Sequence, residues 1–218
     1  MKYLENIQEV AGLQPDYLGF IFYDKSKRYF LEENNLELGN KNVEEFRYHL
    51  ESQILNLNFQ INKVGVFVNE SIKNIIRIAT AFDIRILQLH GDETPEFCEN
   101  LKLLDFKIIK AFGINESFDF SILNEYTDVC EYFLFDTKSN NYGGTGNHFD
   151  WNLLKQYDNS KPIFLSGGLD IKDIPTIHDL LKDINIHALD FNSKLEKDYG
   201  LKDVEKCKEL INLVHNSL

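Results

Sequence analysis

Short apolar runs rich in β-branched and aromatic residues recur seven times along the chain, and longer segments with helical spacing separate them. This alternation is typical of βαβ units, in which the strands of one sheet run parallel and helices cover the sheet. The predicted strands are Tyr17–Phe22, Lys63–Val68, Ile86–His90, Lys107–Phe112, Tyr132–Asp136, Pro162–Ser166 and His187–Phe191. We therefore expect an α/β protein with a parallel sheet.

Apolar stripes and capping signals indicate the helices between these strands. Stripes with three-to-four spacing run over 4–11, 43–57 and 204–214. Thr94 followed by Pro95 predicts a helix start, with an N-cap hydroxyl ahead of proline at the first helical position. No linker or low-complexity segment interrupts the series, so we expect a single domain over residues 1–218.

The first predicted element is a helix, and no predicted strand precedes it. An eight-stranded (β/α) barrel closes only when every strand has two neighbours. Seven strands therefore fit either an open sheet or a (β/α)8 TIM barrel whose first β-strand is missing from this chain.

Composition excludes several classes of protein. With 218 residues and 43% hydrophobic content, the chain is long enough for one substantial core. Its net charge of -12 and lack of a basic cluster argue against a nucleic-acid partner. No apolar run reaches the roughly 18 residues of a membrane span, and the first residues lack a signal peptide, so we expect a cytoplasmic protein without a membrane partner.

Cysteine and histidine spacing gives no sign of a metal site. The three cysteines, Cys98, Cys130 and Cys207, include no C-x-x-C pair, and the six histidines show no H-E-x-x-H spacing. We interpret Cys98 and Cys207 as buried packing residues, because both fall on apolar helix stripes.

Asp136 ends an apolar strand and precedes a glycine-rich loop. In barrels the active site lies at this carboxyl end of the strands. An acid there, desolvated by aromatic neighbours, is suited to donating a proton near neutral pH. The alternative is an aspartate that only tethers the loop.

Two segments that follow late strands are candidates for phosphate binding. Ser166-Gly167-Gly168 follows a late strand, where barrels commonly bind phosphate, and the segment from Asp190 through Asn192 to Ser193 follows the next strand. We expect Asp136 and the Gly167–Gly168 turn to share one rim of the sheet.

Three further candidates lie in loops or at a strand end. Gly143, Gly144 and Gly146 form either an anion-contacting lid or a merely flexible connection. Arg28 could hold a carboxylate with two hydrogen bonds, or it is simply solvated. His90 could contact the substrate, or it is a structural histidine.

In order along the chain, these motifs resemble phosphoribosylanthranilate isomerases over nearly the whole length. The matching segments are Asp16–Tyr23 with Lys25–Arg28, Val64–Asn69, Leu87–Glu93, Phe135–Lys138, Gly143–Gly146 with Phe149–Trp151, and Leu165–Leu169. The resemblance implies a cofactor-free barrel that catalyses an Amadori rearrangement of a small phosphorylated substrate in tryptophan biosynthesis. It says nothing of the oligomeric state.

The resemblance also implies roles for the candidates. Asp136 would be the general acid, and Arg28 would hold the anthranilate carboxylate. Gly167, Gly168 and the segment 190–193 would bind the phosphate, and the loop 143–146 would help to enclose the substrate. Lys27 and Lys194 depart from the family pattern.

The family's general base is a cysteine in a Lys-x-Cys-Gly-Met stretch that ends the first strand, and the methionine of that stretch aligns with Met1. We therefore expect an isomerase shortened at its N-terminus, with the true start upstream and with activity reduced in this form. The alternatives are a non-catalytic barrel that binds a phosphorylated ligand, and another phosphate-binding barrel such as indoleglycerol-phosphate synthase.

Overall fold

The computed structural model describes residues 1–33, 45, 48, 61–137 and 150–217. The chain divides into two compact units, Met1–Asp92 with Glu196–Ile211, and Glu93–Leu195 with Asn212–Leu218. The single domain remains a prediction, and most of the expected helix over 43–57 lies outside the described residues. No helix in the described ranges is long and apolar enough to cross a membrane.

Helices and strands alternate along the described chain. The α-helices are α1 (Leu4–Ala11), α2 (Phe30–Glu33), α3 (Ile72–Ala81), α4 (Pro95–Lys102), α5 (Ile174–Leu180) and α6 (Val204–Ser217). The strands are β1 (Tyr17–Ile21), β2 (Asn62–Phe67), β3 (Ile86–Leu89), β4 (Lys107–Ile114), β5 (Tyr132–Thr137), β6 (Ile163–Leu165), β7 (Ile186–Leu189), β8 (Glu196–Asp198) and β9 (Leu201–Lys202). Short 3-10 helices cover Phe120–Tyr126, Trp151–Gln156, Ile171–Asp173 and Ser193–Leu195. All seven predicted parallel strands are confirmed, with bounds that shift by at most two residues.

In the first unit β1, β2 and β3 pair in that order, all parallel. Phenylalanines from strands and helices form the core beside this sheet. Phe22 stacks on Phe67 with ring centroids 5.4 Å apart, and Phe30 meets Phe20 edge-on at 5.1 Å. Each fully buried phenylalanine contributes about 1.5–3 kcal/mol of hydrophobic stabilisation, so this cluster anchors the sheet.

In the second unit β4, β5, β6 and β7 pair in that order, also parallel. Phe135 of β5 lies opposite Leu165 of β6, and Leu165 lies opposite Leu189 of β7. The register therefore places the next residue of each strand at the same rim.

An antiparallel hairpin of β8 and β9 completes the first unit. Its backbone is tied to α1 by the side chain of Asn6, which is 4% exposed. Asn6 Oδ1 accepts the Lys202 N–H at 2.7 Å, and Asn6 Nδ2 donates to the Lys202 carbonyl at 3.0 Å. These two hydrogen bonds hold the hairpin against the first helix.

A buried ion pair lies inside the second unit. Lys110 Nζ of β4 is 3.2 Å from Glu93 Oε2, and both side chains are at most 3% exposed. Lys110 also donates to the Ala111 carbonyl at 3.1 Å, and the Tyr126 hydroxyl donates to the Glu93 carbonyl at 3.1 Å. Each charge thus has a partner, which is the condition under which buried ions are tolerated.

We expect Lys110→Met to lower the free energy of unfolding by about 3–5 kcal/mol, because Glu93 would keep a buried charge without its partner. Urea denaturation followed by circular dichroism measures the change. The double variant Lys110→Met with Glu93→Gln should recover much of the loss. Lys182→Met, which breaks an exposed pair with Asp179, is the control and should leave stability unchanged. Equal stability of the single and double variants would contradict the prediction.

Candidate active site

Asp136 lies near the carboxyl end of β5, where the buried part of the strand gives way to half-buried residues. Its Oδ1 atom accepts the backbone N–H of Thr137 at 2.7 Å. This local hydrogen bond fixes one carboxylate oxygen against the backbone, so the orientation of the acid is set by the strand itself.

The turn after β6 lies directly beside Asp136. Gly167 and Gly168 have φ values of 95° and 74°, in the left-handed region that favours glycine. A Cβ at Gly167 would lie 2.6 Å from Thr137 Oγ1 and 2.9 Å from Asp136 Oδ1. Only a residue without a side chain allows this approach, and the structure thereby brings together the acid and the turn that the sequence placed on one rim.

The carboxyl end of β7 reaches the same part of the second unit. Ser166 Oγ donates to Asp190 Oδ2 at 3.2 Å, and the Asp190 N–H donates to the Leu165 carbonyl at 2.8 Å. Asn192 accepts the backbone N–H of Leu195 at 3.1 Å through its own carbonyl. The segment 190–193 therefore leaves β7 as an ordered turn beside Ser166.

The lid candidates Gly143, Gly144 and Gly146 lie outside the described residues.

Arg28, in the first unit, follows β1 and is held by a carboxylate that the sequence analysis missed. Its Nε lies 2.8 Å from Glu196 Oε1, and its Nη2 lies 2.5 Å from Glu196 Oε2. The ring of Tyr199 lies 5.0 Å from the guanidinium carbon. Since 168 residues separate Arg28 from Glu196, no local sequence pattern could have indicated the pair.

The charge of Glu196 is stabilised in place. Burial alone would raise the pKa of Glu196, but the hydrogen bonds from Arg28 and the positive charges of Lys202 and Arg28 lower it overall. Gly200 adds a backbone N–H to Oε1 at 3.0 Å, and Lys202 Nζ lies 3.6 Å from the same oxygen. Glu196 is therefore an anion across the physiological range.

His90 follows β3 in the first unit and is half-buried. The Gln88 side-chain nitrogen lies 3.0 Å from His90 Nδ1. This hydrogen bond between the Gln88 amide and the imidazole orients the ring at the end of β3.

The cysteines occupy packing positions, as expected for Cys98 and Cys207. All three are buried, and none follows the carboxyl end of a described strand. A hydrogen bond between the thiols of Cys98 and Cys130 lowers the pKa of Cys98 and raises that of Cys130. Burial raises the pKa of Cys207.

We expect Gly167→Ala to lower the free energy of unfolding by about 1–3 kcal/mol, because a side chain is strained at positive φ, and the new Cβ would also press on Thr137. Thermal and urea denaturation measure the loss. Gly19→Ala is the matched control, since a Cβ there would meet nothing within 4 Å. An equal effect of the two substitutions would contradict the prediction.

We expect Glu196→Gln to be less stable than the wild type at neutral pH, with a gap that narrows in acid. A lowered pKa gives stability that is fully present above the ordinary value of 4.5 and is lost as the pH falls through the folded-state pKa. Urea midpoints from pH 7 down to the acid transition test this. A gap that stays constant below pH 4.5 would refute it.

Comparison with protein families finds a match over almost the whole chain. Residues 1–213 match the family model described as N-(5'phosphoribosyl)anthranilate (PRA) isomerase. A relative from Parabacteroides distasonis with the name N-(5'-phosphoribosyl)anthranilate isomerase is 37% identical over 98% of this chain and 90% of its own length.

Solved structures agree in fold. A phosphoribosyl anthranilate isomerase from Thermus thermophilus superposes with a TM-score of 0.78 at 23% identity, covering 99% of this chain and 96% of that one. A second isomerase, in complex with reduced 1-(o-carboxyphenylamino)-1-deoxyribulose 5-phosphate, gives a TM-score of 0.73 at 26% identity, over 99% and 95%. These likenesses confirm the expected (β/α) barrel class, with seven parallel strands in the described residues.

Proposed function

The chain belongs to the N-(5'-phosphoribosyl)anthranilate isomerase family, and we propose that it converts N-(5'-phosphoribosyl)anthranilate into 1-(o-carboxyphenylamino)-1-deoxyribulose 5-phosphate in tryptophan biosynthesis. The reaction is an Amadori rearrangement. The furanose ring opens when its oxygen gains a proton and the C1–O bond breaks, which leaves C1 as a protonated Schiff base. Loss of the C2 proton then gives an enolamine, and this becomes the keto product when C1 gains a proton and the C2 hydroxyl loses one. Substrate and product have the same atoms, so the reaction needs only opening of the ring and proton transfers, with no net oxidation or group transfer.

The observation that carries this proposal is the contact between Asp136 and the Gly167 turn. The ring oxygen and the phosphate belong to the same sugar, so an acid and a phosphate-binding turn must lie side by side. A Cβ atom placed at Gly167 would lie only 2.9 Å from Asp136 Oδ1, so the backbone of the turn lies directly beside the acid. In the proposal Asp136 donates the proton to the ring oxygen through the carboxylate oxygen that the Thr137 N–H does not hold.

The phosphate is bound by backbone and neutral side chains. Left-handed glycines expose backbone N–H groups to an anion, and Gly167 and Gly168 both have this conformation. Asn192 and Ser193 add side-chain donors. A carboxylate cannot donate to phosphate, so Asp190 acts through its hydrogen bond with Ser166.

The anthranilate end of the substrate is recognised by residues that follow β1 and β3. Arg28 binds the carboxylate through its guanidinium, whose planar geometry suits two parallel hydrogen bonds. His90, whose ring is hydrogen-bonded to Gln88, contacts the substrate beside it. Gly143, Gly144 and Gly146 are assigned to substrate binding on the resemblance of the sequence alone.

Abstraction of the C2 proton requires a second group, and we assign no residue of this chain to that step.

We place the enzyme in the cytoplasm, since its phosphorylated substrate does not cross membranes unaided.

Asp136→Asn should lower kcat by about 10²- to 10⁴-fold, because an amide cannot supply the proton. The substitution keeps the shape of the side chain, so the affinity for reduced 1-(o-carboxyphenylamino)-1-deoxyribulose 5-phosphate should change little. Turnover is followed by the loss of substrate fluorescence, in the chain extended upstream by one strand of about six residues that bears the cysteine implied by the resemblance.

Asp170→Asn is the control for this measurement. Asp170 also follows the Gly167–Gly168 turn, and its backbone N–H donates to Asp173 at 2.8 Å, a bond that the substitution leaves in place. Near-normal turnover of Asp136→Asn would remove Asp136 from the acid role. An extended chain that folds but neither binds the reduced product nor turns over would overturn the isomerase function.

A further inference from the structure

Among the described residues, Glu196 binds the guanidinium of Arg28 along one of its edges. Glu196 takes the Nε–H at 2.8 Å and an Nη2–H at 2.5 Å, so its two oxygens span the side-on edge of the group. A guanidinium has five N–H donors, and among the described residues no acceptor contacts Nη1. The other edge, formed by Nη1 and the second Nη2–H, can donate two parallel hydrogen bonds to another carboxylate.

Glu196 is itself immobilised by the hairpin. Its side chain is 5% exposed, Gly200 donates to Oε1 at 3.0 Å, and Lys202 Nζ lies 3.6 Å away. The hairpin backbone is in turn tied to Asn6 of α1 by two hydrogen bonds. The hairpin and α1 therefore fix Glu196, and Glu196 in turn fixes the orientation of the Arg28 guanidinium.

The charges in this cluster add up to one positive charge. Glu196 carries one negative charge, and Arg28 and Lys202 each carry one positive charge. The negative charge of Glu196 is thus shared between two cations, so the guanidinium still attracts a carboxylate that arrives at its open edge.

The geometry points to Glu196 as a positioning residue that makes the site specific for a substrate with a carboxylate on its aromatic ring. This inference rests on the proposed function, because that function brings such a carboxylate to Arg28. Glu196 never touches the substrate. It holds the guanidinium in the one orientation that presents two parallel N–H groups, so less side-chain freedom is lost on binding.

A mere charge effect makes the opposite prediction. If Glu196 only lowered the local potential, then removing its charge would tighten the binding of an anion. If Glu196 positions Arg28, then removing it weakens the binding. The sign of the change therefore separates the two explanations.

The test measures calorimetric affinity for two ligands in the full chain. One is reduced 1-(o-carboxyphenylamino)-1-deoxyribulose 5-phosphate, and the other is its phenylamino counterpart without the carboxylate. We expect Glu196→Gln to weaken the first about tenfold, the size of one immobilised long side chain, and to leave the second nearly unchanged. Glu196→Asp keeps the charge, but its side chain is one methylene shorter and cannot reach both nitrogens of Arg28. This variant should also bind the first ligand more weakly and leave the second unchanged.

Two further variants complete the design. Lys197→Gln removes an ion pair with Asp203 on the same hairpin without touching Arg28, and both affinities should be unchanged. In an Arg28→Ala background, Glu196→Gln should have no additional effect on either ligand, because no guanidinium remains to be positioned.

The outcomes distinguish failure of the positioning role of Glu196 from failure of the proposed function. Equal weakening of both ligands by Glu196→Gln, or tighter binding of the carboxylated ligand, overturns the positioning role and leaves the proposed function standing. If neither the wild type nor the extended chain described above binds either ligand, the proposed function fails, and this inference fails with it. If the wild type binds both ligands equally, the role of Arg28 fails, and Glu196 has no guanidinium contact to support.

Discussion

Parallel pairing in register is the constraint from which the candidate site follows. Phe135, Leu165 and Leu189 lie opposite one another across β5, β6 and β7, so the residues that come next emerge side by side. Those residues are Asp136, Ser166 and Asp190, and each differs in chemistry from the apolar strand before it. The sheet thus assembles an acid, a turn and an orienting carboxylate from segments that lie far apart in the chain.

The overall charge of the protein opposes the ligand that we propose for it. A chain with a net charge of -12 repels a phosphorylated carboxylic acid at a distance. Screening limits that repulsion to about 8 Å at physiological salt. Within this range, local hydrogen-bond donors determine whether the ligand binds. In the proposed function, backbone N–H groups at the Gly167–Gly168 turn and the guanidinium of Arg28 supply these donors. Binding therefore relies on short-range, directed hydrogen bonds and gains little from long-range steering.

How far the sequence predicts this protein depends on whether a signal is local. Three features follow from patterns within about ten residues, the range over which periodicity and capping act. They are the strand bounds, the rim position of Asp136 and the helix cap at Thr94, whose side chain accepts the Phe97 N–H at 3.2 Å. The Arg28–Glu196 pair does not, because its partners meet only after folding. Lys110 is an intermediate case. A lysine inside the apolar run 108–112 requires a buried anion, but spacing alone does not indicate which acidic residue supplies it, and only the structure identifies Glu93.

The distance along the chain between Arg28 and Glu196 affects the order of events during synthesis. Translation delivers the arginine early, whereas the carboxylate that orients it emerges 168 residues later. A nascent polypeptide that has been made only as far as β7 can already pair its strands, yet its guanidinium is still free to rotate. If Glu196 positions Arg28, the enzyme thus gains its selectivity for the aromatic end of the ligand only late in synthesis, after Glu196 has been added.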